Sequence, residues 1–120
     1  MTLKTLVIVF LLALWAVGAQ AQSTVKTETF RIEGNCEMCQ DRIEEALAFQ
    51  KGVKSARWSP ETKMATVVFR ADKVTVLQLK QAAMAVGHDT DAGKAPEAVY
   101  KDLPDCCQFR TKACTESAGK

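Results

Sequence analysis

Two cysteines three residues apart, Cys36 and Cys39, are the side chains in this sequence best placed to do chemistry. They fall in Gly34-Asn35-Cys36-Glu37-Met38-Cys39, between an alternating segment, Phe30-Arg31-Ile32-Glu33, and an amphipathic one running from Gln40 to Gln50. A strand that feeds a short turn and then a helix sets both thiols on one exposed turn at the helix start. Unpaired backbone N–H groups and the positive end of the helix dipole gather there, so a thiolate is stabilised and its pKa falls. That thiolate is both a ligand for soft metals and a nucleophile for thiol exchange. Two thiolates at this spacing suit a linear or trigonal ion, Cu(I) or Hg(II). Zn(II) takes four ligands and would need help from elsewhere. The bland alternative is a disulfide between the two.

Other residues could add to the pair. Met38, between the cysteines, offers either a thioether to Cu(I) or a flexible filler that supports the loop from the core. His88 is the sole histidine, either a neutral imidazole ligand or a solvated residue at a helix end. Cys106, Cys107 and Cys114 lie far downstream, in and after Leu103-Pro104-Asp105-Cys106-Cys107-Gln108-Phe109-Arg110. Adjacent cysteines bond to each other only with strain, so each tends to face a different partner. The three are expected either to supply further metal ligands or to hold a disulfide.

The compartment follows from the start of the chain. Lys4 is a positive n-region, Leu6 to Val17 is an unbroken apolar run, and Ala19-Gln20-Ala21 is a small-x-small cleavage site. Residues 1–21 are therefore expected to be a signal peptide, with the rest periplasmic or secreted. Removing it takes away only Lys4 among charged groups and leaves 15 basic against 14 acidic side chains. With near-zero net charge and no basic block, nucleic acid is excluded as a partner. All five cysteines lie in the part that remains. An odd number leaves at least one thiol free, metal-bound or paired between chains.

The elements that position the pair can be read from periodicity. Residues 22–27 are expected to be a flexible lead-in. Phe30 and Ile32 alternate as in a half-buried strand, and Cys39, Ile43, Ala46 and Leu47 recur at helical spacing. Val53–Trp58 and Met64–Arg70 read as an antiparallel hairpin, with Ala65, Val67 and Phe69 facing inward. Thr75-Val76-Leu77-Gln78 fits a capping box, Val76, Leu79, Ala82, Ala83 and Val86 form a stripe, and Gly87 ends that helix. A weak fourth strand is expected at His88–Ala92. The order β-α-β-β-α-β makes a two-layer α+β sandwich the economical fold. Residues 93–120 read as a polar, proline-broken appendage carrying cysteines.

With these elements in place, residues 28–92 resemble the heavy-metal-associated domain family, ferredoxin-like modules found in copper chaperones, metal-pumping ATPases and periplasmic mercury-binding proteins. The resemblance rests on Phe30-x-Ile32-x-Gly34, Cys36-x-x-Cys39, Ile43-Glu44-x-Ala46-Leu47, Gly52-Val53, Ala65-Thr66-Val67-x-Phe69, and Leu79 through Ala83 to Gly87. It implies metal ligation by Cys36 and Cys39, and it places the loop holding His88 beside them. The family loop usually reads Gly-Met-x-Cys-x-x-Cys. Gly34-Asn35-Cys36 is one residue shorter and lacks that methionine, whose propping role Met38 would have to take.

The expected function is binding and transfer rather than enzymatic turnover. An exported protein would capture Cu(I), or Hg(II) as a close second, and pass it to a transporter or another metal-binding domain. It would meet a membrane only through such a transporter. It is expected as a monomer, or as a dimer bridged by a shared ion. The alternative is a thiol-disulfide oxidoreductase using the same pair. Against that reading, no proline lies between or just after the two cysteines and no tryptophan precedes them.

Overall fold

The computed structural model describes residues 24–110, together with Leu3. The expected signal peptide and Cys114 lie outside the described residues. The elements are β1 (Val25–Arg31), α1 (Glu37–Ala48), β2 (Val53–Trp58), β3 (Met64–Arg70), α2 (Val76–Ala85), α3 (Glu97–Lys101) and a closing 3-10 turn, Asp105–Cys107. The three strands form an antiparallel sheet in the order β1-β3-β2. One sheet face is apolar, with Phe30, Trp58, Ala65, Val67 and Phe69 buried, and it packs with Ile43 and Leu47 of α1 and Leu79 and Ala83 of α2 in a single core. The result is the α+β sandwich that the periodicity predicts.

Helix ends follow the local sequence closely. The Thr75 hydroxyl accepts the Gln78 backbone N–H at 3.2 Å and the Gln78 side chain accepts the Thr75 N–H at 2.9 Å, a complete capping box. At the other end Gly87 has φ +104°, its N–H reaches the Met84 carbonyl, and the His88 N–H reaches that of Ala83. This paired closure is the Schellman arrangement, and it fixes where His88 leaves the helix.

Three expectations are corrected. The first strand begins at Val25, inside the segment read as a flexible lead-in, because Val25, Lys26 and Thr27 pair with Arg70, Phe69 and Val68. Their side chains are exposed, so alternation gives no signal there. The fourth strand shrinks to isolated bridges, Ile32 with Thr90 and Thr90 with Gly93. Thr90 and Gly93 exchange backbone hydrogen bonds of 2.9 and 3.1 Å, which doubles the chain back before a ladder can form.

The third correction concerns the downstream segment, which is no appendage as far as Arg110. Tyr100, Leu103 and Cys107 are buried in the common core. Pro96 and Pro104, read as breakers, instead open α3 and the 3-10 turn, where a missing N–H costs nothing. Leu103 sits against Gly87 so closely that a Cβ there would lie 2.9 Å from it.

Candidate metal centre

The turn from β1 into α1 makes Cys36 the helix N-cap and puts Cys39 one turn inside. Cys39 is fully buried and joins Ile43 and Leu47 on the inner stripe, whereas Cys36 is half-buried. Their Sγ atoms are 3.3 Å apart. The Asn35 backbone N–H points at the Cys39 sulfur from 3.4 Å.

The loop is propped from the β2–β3 side. The Trp58 ring lies against Gly34, where an added Cβ would come within 3.0 Å of the indole and 3.1 Å of the Cys39 Cβ. Trp58 is itself fixed, donating Nε1–H to the Ile32 carbonyl at 2.9 Å while its own carbonyl accepts from Gln40 at 2.9 Å. Lys63, held at φ +63° in the hairpin turn, donates to the Gly34 carbonyl and reaches the Asn35 side chain at 3.4 Å. Gly34 thus gives the indole room against the loop. Met38 does not prop the loop: it is 50% exposed, and the Trp58 ring lies against Gly34 instead.

The downstream segment brings two more sulfurs to the same place. From Cys36 Sγ, Cys106 Sγ is 3.5 Å away and Cys107 Sγ 3.6 Å, with 3.9 Å between those two. Cys36, Cys106 and Cys107 form a group whose sulfurs all lie within 4.8 Å of one another. Cys39 stands outside that mutual set although it touches Cys36. The Met38 thioether lies 3.3 Å from Cys106 Sγ, on the solvent side. All four described cysteines are free thiols. Spacing could not reveal a contact spanning 70 residues, but Tyr100, Leu103 and Cys107 recur at helical intervals, an apolar signal that marks this segment as core-bound.

A cation clamp and an aromatic stack hold the segment down. Arg110 grips both oxygens of Asp89 at 3.0 and 2.7 Å, pairs with Glu97 at 2.9 Å, and lies 3.9 Å over the Tyr100 ring. Phe109 stacks on His88 at 5.6 Å and meets Tyr100 edge-on at 5.2 Å.

His88 is fully buried rather than solvated. Its Nδ1 lies 2.8 Å from the Glu33 carbonyl, which can only accept, so that nitrogen carries the proton. Nε2 keeps its lone pair and has no hydrogen-bond partner. Burial, aided by the nearby Arg42 charge and opposed by the Glu33 bond, lowers the His88 pKa to about 4, so the ring is neutral at pH 7. The imidazole is not in the sulfur group, where Cys106 and Cys107 stand beside Cys36.

The sulfurs differ in how readily they lose a proton. Burial raises the Cys36 pKa, but the Cys39 backbone N–H and the thiols of Cys39, Cys106 and Cys107 outweigh it and bring the value down to about 7. Burial pushes Cys39 and Cys107 up, and for Cys107 the negative charge on its sulfur neighbours pushes further. Cys36 is therefore the thiol most readily deprotonated among those whose shifts are resolved.

Comparison with known proteins places this geometry. A copper chaperone CopZ from Staphylococcus saprophyticus is 41% identical over 64 residues, 52% of this chain and 94% of that protein. Among solved structures, a CopZ metallochaperone superposes with TM-score 0.53 and 33% identity, covering 54% of this chain and 98% of its own. Oxidized MerP from Ralstonia metallidurans CH34 gives TM-score 0.53 and 26% identity, covering 56% and 94%. The N-terminal domain of a potential copper-translocating P-type ATPase from Bacillus subtilis, solved in its Cu(I)-loaded state, gives 0.52 and 30%, covering 54% and 82%. The heavy-metal-associated domain model matches residues 29–89, which hold the loop, α1, β2, β3 and α2, and the chain is a member of the heavy-metal-associated domain family.

Proposed function

We propose that this chain is an exported carrier of a soft metal ion, Cu(I) first and Hg(II) second, which it takes up at Cys36 and Cys39 and hands to a transporter or another metal-binding domain. The observation that carries the reading is the pair of free thiols 3.3 Å apart at the start of α1, one buried and one half-buried. A cation meets the Cys36 thiolate first, and Cys39 gives up its proton as its sulfur enters the coordination shell. Release reverses the order: a partner thiol enters beside Cys36 before the buried sulfur leaves. The names of the relatives, copper chaperones and a copper-pump domain, put Cu(I) ahead. MerP among the structural neighbours keeps Hg(II) close. Export rests on Lys4, the apolar run to Val17 and Ala19-Gln20-Ala21.

The test is an anaerobic titration of the reduced chain with Cu(I) and with Hg(II), read by native mass spectrometry beside Cys36→Ser/Cys39→Ser. One tightly held ion, lost in the double variant, is the expected result. Retention of the ion by that variant would move the site elsewhere, and no tight binding of either ion would end the metal reading.

One observation favours the oxidoreductase as a second reading: a thiol with pKa about 7 beside a buried thiol is also how an attacking and a resolving cysteine are arranged. The reduction potential separates the two. A potential outside the range of exchange enzymes, with no turnover of an oxidised substrate, fits the carrier.

A further inference from the structure

We propose that Cys106 and Cys107 join Cys36 in a three-thiolate centre, so that the downstream segment closes over the loop and holds one soft ion in trigonal coordination. This deepens the metal-binding reading of the loop and rests on it: the ion enters at Cys36 and Cys39, and Cys106 and Cys107 then take the place of Cys39, which lies outside their mutual group. The family match ends at residue 89, so neither cysteine belongs to the matched module.

The geometry points to three sulfurs. The circle through three points separated by 3.5, 3.6 and 3.9 Å has a radius of about 2.1 Å, against about 2.3 Å for a metal–thiolate bond. An ion at its centre needs each sulfur to retreat by only a few tenths of an ångström, about what side-chain torsions allow without moving the backbone. Adjacent cysteines ordinarily point apart, yet the 3-10 turn aims both at the same third sulfur. The Cys106 carbonyl also lies 3.2 Å from Cys36 Sγ, which sets the turn directly over the helix N-cap.

Three sulfurs rather than four narrow the cation. Zn(II) in a closed site takes a tetrahedron, and Cys39 lies outside the mutual group that would have to form it. Closed-shell soft ions accept trigonal thiolate coordination, so Cu(I) and Hg(II) share the required chemistry. Charge separates them. Any protons the three thiols carry leave to solvent on binding, so three thiolates surround the ion. A monovalent ion then carries a net charge of −2 and a divalent one −1 in a half-buried place, so the closed centre favours the divalent ion more than the loop pair does.

The segment is positioned before any ion arrives. Tyr100, Leu103 and Cys107 are buried in the core, and the Arg110 clamp on Asp89 ties its end to the loop after α2. A ligand set already assembled loses little freedom on binding, which tightens the complex and slows release.

The deciding experiment loads the chain, as processed by the cell and kept reduced, with one equivalent of Hg(II) or Cu(I). Sulfur number is counted by X-ray absorption and affinity is measured by competition with a small dithiol. Three sulfurs are expected in the native chain and two in Cys106→Ser, with affinity lower by about tenfold or more. Because Cys107 is fully buried and its substitution can unfold the chain, the half-buried Cys106 carries the test. Arg110→Ala, which keeps every sulfur, is expected to speed release.

Two sulfurs in the native chain with unchanged affinity in Cys106→Ser would overturn the three-thiolate centre and leave the loop reading standing. Four sulfurs with Zn(II) preferred would overturn it in favour of a tetrahedral site. No bound ion in the native chain would sink both readings together.

Discussion

The loop entering α1 and the segment from Pro96 to Arg110 each bring two cysteines to one point, but they are built by different means. The loop is held by backbone: β1 pairs along its length with β3, Ile32 donates to the Lys63 carbonyl at 2.9 Å, and Glu33 to that of Asp89 at 2.9 Å. The downstream segment has no strand and only one turn and a half of helix. Side chains hold it instead, through Arg110, Phe109, Tyr100 and Leu103. Backbone ladders give way only when the fold does, whereas side-chain clamps can be loosened one at a time. One half of the sulfur cluster is therefore fixed to the fold, and the other is fastened to it.

The comparison can be broken most severely at Trp58. Trp58→Ala removes the wall behind Gly34 and should cost about 3–5 kcal/mol, measured by denaturant unfolding. It should also loosen the loop thiols while the aromatic contacts of the downstream segment remain. An effect below about 1 kcal/mol would mean that Trp58 is not the loop's support.

At the seam between the halves stands His88, and acid should act there next. Its pKa is about 4 when folded against 6.5 when free, so between those values the unfolded chain binds the proton that the folded chain refuses. Stability from this residue is complete above pH 6.5, falls as pH drops through that window, and levels off near pH 4. The total is about 3 kcal/mol at most. The facing charges are Arg42 and Asp89. Burial raises the Asp89 pKa, but Arg110 more than offsets it, so its contribution is lost below pH 3.8, outside the His88 window. His88→Asn should flatten unfolding free energy between pH 6.5 and 4; an unchanged slope there would assign the acid sensitivity to another group.

Loosening the fastened half alone is the gentlest intervention. Arg110→Ala deletes two charge-assisted bonds to Asp89 and should cost about 1–3 kcal/mol. Alkylation of Cys106 should accelerate well ahead of global unfolding, while Cys39 stays protected. Equal acceleration at both would show that the two halves open as one unit.

How far the sequence foretold this depends on what kind of contact makes each part. The Ala65, Val67 and Phe69 alternation, the capping box at Thr75 and the Gly87 closure are local, so spacing alone reveals them. The Cys36–Cys39 pair at a helix start was equally plain. The outer half of β1 was hidden because its side chains face solvent, and a strand made by hydrogen bonds alone leaves no hydrophobic pattern. The fourth strand was expected from the usual order of elements, but the turn at Thr90–Gly93 stops it at single bridges. The convergence of Cys106 and Cys107 on Cys36 depends on how a side chain 70 positions away packs, which no periodicity encodes.

The placement of Trp58 also gives the protein a built-in optical gauge. The chain has two tryptophans, and Trp15 lies in the expected signal peptide, so removal of that peptide leaves one indole. Its ring and the Cys39 side chain flank the same glycine. A heavy ion seated among the sulfurs would dim or shift the emission of a single fluorophore a few ångströms away, letting the filling of the site be followed in real time without any added dye.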